Sequence, residues 1–135
     1  MASSAEDVER LLAQCSVPFE SVSSGTWLVH IATGQAPAVL RLESPVLLLQ
    51  VDIGAVALAD SQQRAAFYQR LLELNATGLL HASYGLEKGH VVLGAALELE
   101  NLDSNELAAV LADLGLALSE HLPELSTLIS TSSQS

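Results

Sequence analysis

The chain has 135 residues, about one domain's worth; half of them are apolar and only 16% are charged. Sixteen acids against five bases give a formal charge of −11. These figures exclude a disordered chain, which needs low hydrophobicity, and a nucleic-acid binder, which needs a basic face. From Leu71 onward Lys88 is the one base against nine acids.

The lone cysteine, Cys15, leaves no partner for an intrachain disulfide or a cysteine-based zinc cluster, and fits a reducing compartment. The start, Met1 to Asp7, carries acids where a secretory signal would carry bases and an apolar run. Apolar runs are only a few residues long, against the ~20 of a membrane helix. The expectation is a soluble, cytoplasmic, acidic single domain over residues 1–125, with a polar tail over 126–135. Aromatics are 4% of the chain, so Leu, Val and Ala must build the core.

A first helix is predicted from Ser3 to Ser16. Ser3 with Glu6, or Ser4 with Asp7, offers a capping box, and Val8, Leu11, Leu12 and Cys15 form one stripe. Cys15 reads as a small buried hydrophobe with no neighbouring base to activate it. Three strands follow. Thr26 to Thr33 places Trp27, Val29 and Ile31 on one face; Gly34-Gln35 breaks it. Pro37 to Leu42 alternates around Ala38, Leu40 and Leu42, and Ser44-Pro45 turns the chain. Val46 to Ile53 is apolar on both faces, as an inner strand covered on two sides would be. Short connections make the three an antiparallel meander.

Asp60 is a predicted N-cap for a helix from Ser61 to about Asn75. Its apolar residues cover more than the single stripe that one buried face needs. A homodimer contact through Phe67, Tyr68 and Leu71 is one reading of that surplus, and a central helix inside the monomer is the other. Gly78 begins a hairpin in which Leu80, Ala82, Tyr84 and Leu86 alternate, Lys88-Gly89 turns, and Val91 to Leu99 returns. Asn101 to Ser104 caps a last helix with the stripe Leu107, Val110, Leu111, Leu114, Leu118 and Leu122. Pro123 ends or kinks it, and Ser126 to Ser135 is expected to fray. The fold class is α+β, ordered α-β-β-β-α-β-β-α, a twisted antiparallel sheet packed against helices.

Chemistry-bearing motifs are missing. His30, His81, His90 and His121 fall on four elements with no metal-ligand spacing, and read as structural or solvent-exposed. Isolated glycines make no phosphate cradle, and no nucleophile elbow is present. Glu98 and Glu100 share a strand face but read as its solvent side. Seven acids and no base between Glu98 and Glu124 form a single-signed surface, serving solubility or a basic partner segment. No catalytic, cofactor or metal site is expected, and residue chemistry favours a binding module over an enzyme.

The stretch Leu71-Leu-Glu-Leu-Asn75, Leu79-Leu80, Tyr84 to Leu93, Leu97 to Asp103 and Glu106-Leu107 resembles the CesT/Tir family of type III secretion chaperones. YbjN-like bacterial regulators look similar over the same residues. The resemblance implies a small acidic dimer without enzymatic activity. It would hold an extended segment of a secreted effector in the cytoplasm; the alternative is a YbjN-like module that binds a regulatory protein. An open strand edge with apolar pockets suits an extended client. Candidate groove residues on the first helix and the meander are Val8, Leu12, Trp27, Val29 and Leu40, with a place in the core as the other reading of each.

Overall fold

Helix α1 (Ala5–Gln14) starts where Ser4 caps it. The Asp7 amide donates to Ser4 Oγ at 3.3 Å, and Ser4 Oγ donates to Asp7 Oδ2 at 3.1 Å. The structure, a computed structural model, describes residues 4–31 and 36–133. Met1 to Ser3, Ala32, Thr33, the Gly34-Gln35 break and Gln134-Ser135 lie outside the described residues. Val8, Leu11 and Leu12 are buried as their stripe predicts, and Cys15 at the end of the helix is half-buried.

Four strands follow: β1 (Phe19–Ser23), β2 (Thr26–Val29), β3 (Ala38–Glu43) and β4 (Val46–Ala55). After helix α2 (Ser61–Thr77), the hairpin β5 (Ser83–Glu87) and β6 (His90–Glu98) leads to α3 (Ser104–Glu120) and α4 (Leu122–Ser133). The strands form one six-stranded antiparallel sheet in the order β1-β2-β3-β4-β6-β5. The architecture is the expected α+β one, with an additional strand, β1, before the meander. Only Phe19 of β1 is even half-buried. An edge strand with so little buried surface carries no apolar alternation to betray it.

Caps and turns behave as their residues dictate. Asp60 Oδ1 accepts from the Gln62 amide at 2.8 Å, and Asp103 Oδ1 from the Glu106 amide at 2.8 Å. Lys88 and Gly89 both have positive φ, 52° and 82°, which a two-residue hairpin turn of this hand demands. Glu87 then faces His90 as the spacing requires. Two departures appear here. Leu80 precedes β5 rather than alternating within it, and is 88% exposed. The last helix divides at His121, and α4 continues to Ser133, through residues expected to be a polar tail. Pro123 cannot donate inside a helix but is tolerated in the first turn of a new one, and buried Leu125 anchors that turn to the core.

The sheet buries one face beneath the helices. Trp27, Leu40 and Leu49 lie across neighbouring strands on it, as do Val29, Ala38, Val51 and Leu93, and all join a single core with α1, α2 and α3. The opposite face carries the half-buried Leu28, Val39, Leu48 and Val92, with Arg41, Gln50 and Asp52 between them. Strand β4 is therefore apolar on both faces as its sequence predicts, but only its inner face is covered by helices.

Candidate functional site

Val8, Leu12, Trp27, Val29 and Leu40, the candidate groove residues, are each 0% exposed. They correct the expectation of where a client would touch: alternation and helical stripe identify a buried face, and here that face is the centre of the core. Trp27 Nε1 donates to Glu9 Oε2 at 2.9 Å, so even its polar atom is engaged within the fold.

An accessible groove lies beside these residues. Cys15, Val17, Ile31, Ala108, Leu111 and Ala112 line an apolar hollow of about 200 Å³ between the end of α1, the end of β2 and α3. Burial pushes the Cys15 thiol above its ordinary range, and Sγ donates to the Ser104 carbonyl at 3.6 Å. Cys15 is thus half-buried rather than the fully buried small hydrophobe that the sequence predicts, and no base lies beside it among the groove residues. Val17 of its lining lies two residues before β1, the outermost strand on that side of the sheet. The His30 amide donates to the Pro18 carbonyl at 2.9 Å. In an antiparallel pair, bonded and non-bonded residues alternate. Phe19 and Ser21 therefore turn their backbone N–H and C=O groups away from β2, to the open edge.

A second apolar surface lies where α2 meets β5. Phe67 and Leu71 are 1% and 5% exposed and pack into the core, whereas Tyr68 is half-buried and Leu72 is 68% exposed. With Asn75, Tyr84, Gly85 and the half-exposed Leu86, Tyr68, Leu71 and Leu72 line a hollow of about 330 Å³. The surplus apolar residues of α2 therefore divide: Phe67 and Leu71 serve the monomer's interior, and Tyr68 and Leu72 face outward.

Polar side chains tie this region together. Asn75 Oδ1 accepts from the Tyr84 amide at 2.7 Å while its Nδ2 donates to the Tyr84 carbonyl at 3.1 Å. Asp113, buried in α3, accepts from the amides of Leu80, His81 and Ala82, the last two at 2.8 and 2.9 Å. The Tyr84 hydroxyl meets His121 Nδ1 at 2.9 Å. Burial first, then the negative charges of Asp113 and Glu124, push the Tyr84 phenol well above its ordinary range. Of the four histidines, His121 is buried, His30 and His90 pair with Glu20 and Asp52, and His81 is exposed. Among the described residues no three His, Cys, Asp or Glu side chains converge as a metal site would require, and no helix is long and apolar enough to cross a membrane.

The family model CesT_Tir_1 matches residues 1–131. The chain belongs to this family of type III secretion chaperones. The match extends over the N-terminal half, where no distinctive motif marks the sequence. No curated protein matches the chain. Among solved structures, a chain of the heterodimeric ExoU–SpcU complex from the type III secretion system of Pseudomonas aeruginosa is similar at TM-score 0.64 and 20% identity. The match covers 90% of this chain and 97% of that one. The Yersinia pestis type III secretion chaperone SycH, in complex with a stable fragment of YscM2, is similar at TM-score 0.56 and 19% identity. There 89% of this chain and 94% of the other are covered. At these identities the likeness establishes a shared fold.

Asn75, Leu72 and Leu86 stand in the sequence as motif and pattern residues without a site role, and Asp113 stands there only as one acid of the chain. Asp113 had a signal: it is an acid flanked by Val110, Leu114 and Ala117 on the buried stripe of α3. Asn75 ends the Leu-rich motif that carries the resemblance, but its bonds to Tyr84 depend on a tertiary approach that spacing does not reveal.

Proposed function

We propose that this protein is a homodimeric type III secretion chaperone that keeps an extended effector segment soluble and secretion-competent in the bacterial cytoplasm. Family membership over residues 1–131 carries the reading. Two structural neighbours, each solved bound to another protein, support it. The client strand pairs with the open edge of β1 and drops apolar side chains into the Val17, Ile31 and Leu111 groove. Main-chain bonds supply affinity there, and the groove supplies selectivity. The second copy packs on Tyr68 and Leu72, above the buried Phe67 and Leu71, and the acidic surface keeps such exposed apolar areas soluble. The chain acts by binding and carries out no reaction.

The test is capture of partners by the tagged protein from its native cytoplasm, with mass spectrometry and limited proteolysis of the complex. One dominant partner, protected over a single extended segment, is expected. Ser21→Pro removes one outward donor of β1 without touching its bonds to β2, and should deplete that partner severalfold. Many weak partners, or a folded regulator, would instead favour the YbjN-like alternative. A partner retained undiminished by Ser21→Pro would remove the client from β1.

A further inference from the structure

The two edges of the sheet differ in what occupies their backbone groups. On β5, residues that bond to β6 alternate with residues that face outward, and the Asn75 bonds to Tyr84 identify Tyr84 as outward-facing. Leu86 shares its orientation, while Ala82 lies just before the strand. The Ala82 amide is taken by Asp113 Oδ2 at 2.9 Å, and both backbone groups of Tyr84 are taken by Asn75. Asp113 also accepts from Leu80 and His81, so the approach to β5 is engaged as well. Within β5, Leu86, next to the turn, retains outward groups that no described side chain takes, and the carbonyl of Ala82 just before the strand has no such partner either. On β1, by contrast, no described side chain from another element caps the outward groups of Phe19 and Ser21.

We infer that Asn75 and Asp113 seal the β5 edge, so that strand addition, by a client or by a second copy, is confined to β1. The first of those occupants rests on the chaperone reading above; the seal itself does not. A strand arriving at β5 would have to displace bonds that Tyr84 and Ala82 already make, gaining nothing in number. It would also strand both polar groups of Asn75 in a part-buried setting, and an orphaned buried group costs its full desolvation, whereas Asp113 would keep the amides of Leu80 and His81. An exposed, unblocked edge is an aggregation hazard that folded proteins manage by covering it. Here two side chains, one from each flanking helix, do so while leaving the apolar side-chain surface of α2 and β5 free. Self-association at that surface therefore proceeds by side-chain packing rather than by a continuous sheet.

Amide exchange of the intact protein, resolved by NMR, tests this without any variant or client. The Ala82 and Tyr84 amides should exchange roughly tenfold or more slowly than those of Phe19 and Ser21, since hydrogen-bonded amides need a local opening to exchange. Equal rates at the two edges would overturn the seal. Asn75→Leu, which keeps the volume and removes both polar groups, should raise the Tyr84 rate by a similar factor. It should also give a light-scattering mass that climbs with concentration beyond the parent's. A Tyr84 amide still protected, with the parent's mass at every concentration, would equally overturn the inference. If Asn75→Leu fails to fold, the comparison of edges in the intact protein decides. The client reading fails separately: a partner undiminished by Ser21→Pro removes the client from β1 and leaves the β5 result standing.

Discussion

Asp113 interrupts an apolar helix face, yet all three amides aimed at it come from one loop, Leu80 to Ala82. Removing a partner that leaves buried donors unsatisfied costs more than the bond itself contributes. Of the three, only the Ala82 amide belongs to a buried residue, with Leu80 and His81 exposed, so Asp113→Ala should lower stability by about 1–3 kcal/mol, read as the shift in a urea unfolding curve. Asp113→Asn, which keeps one oxygen acceptor, should cost less. A loss no larger than that of an ordinary surface substitution would show that the loop holds without the carboxylate. Trp27 is the opposite kind of residue, wholly apolar in its surroundings apart from Glu9. Trp27→Ala should cost about 3–5 kcal/mol through the cavity it leaves. Any loss of client binding should then follow the loss of fold. Tyr84 adds a pH dependence. Its folded pKa is raised above its unfolded value, so its contribution is complete below the ordinary tyrosine pKa of about 10 and falls as the pH rises beyond it. Unfolding curves between pH 8 and 11 should show a decline that Tyr84→Phe flattens, against a lower starting stability because the bond to His121 is gone.

Helix α4 is held by Leu125 and by a two-point ion pair, Arg70 Nε to Glu124 Oε2 at 2.7 Å and Arg70 Nη2 to Glu124 Oε1 at 3.1 Å. The Arg70 hydrogen bonds hold the Glu124 carboxyl below the usual glutamate range. The stabilisation is thus present above the ordinary glutamate pKa and lost as the pH falls through the lowered one. Both side chains are more than a third exposed, so solvent and salt screen the pair and its effect should remain local. Glu124→Gln should speed amide exchange in α4 while leaving the unfolding midpoint of the sheet nearly unchanged. A large drop in that midpoint would mean that α4 supports the whole core. At this scale α1, α2 and α3 were legible because caps and stripes are local: Asp60 marks its helix start in the sequence as in the structure, Ser4 is one of the two caps offered for α1, and Asp103 lies in the capping stretch Asn101 to Ser104. The strands from Thr26 to Glu98 were legible through alternation and one turn dipeptide. Strand β1 was not, because an edge strand with one half-buried side chain lacks the period that reveals the others. The binding surface was not either. The same alternation that identified Trp27, Val29 and Leu40 as important marks them as core, and accessible residues such as Ile31 and Leu72 stand out only once the elements are placed.

Across the whole molecule, a chain of charge −11 presents an apolar hollow between α2 and β5. Two copies meeting there bring like charge together, so hydrophobic contact must exceed repulsion for a dimer to persist. Leu71→Asp cannot test this face cleanly, because Leu71 is only 5% exposed and a buried unpaired charge would break the fold before it broke an interface. Leu72, at 68% exposure, can take an aspartate in the monomer without strain. Leu72→Asp and Tyr68→Asp should each halve the light-scattering mass while the unfolding midpoint of the remaining monomer stays well above room temperature. A Leu72→Asp chain that remains a well-folded dimer would move the interface elsewhere. Salt gives an independent reading of the same balance. The Debye length shrinks from about 30 Å at 0.01 M to about 10 Å at 0.1 M ionic strength, and the repulsion between the acidic copies shrinks with it. Sedimentation of the parent chain should therefore show tighter dimerisation as salt rises over that range. An interface built on ion pairs rather than on Tyr68, Leu72 and Leu86 would loosen instead.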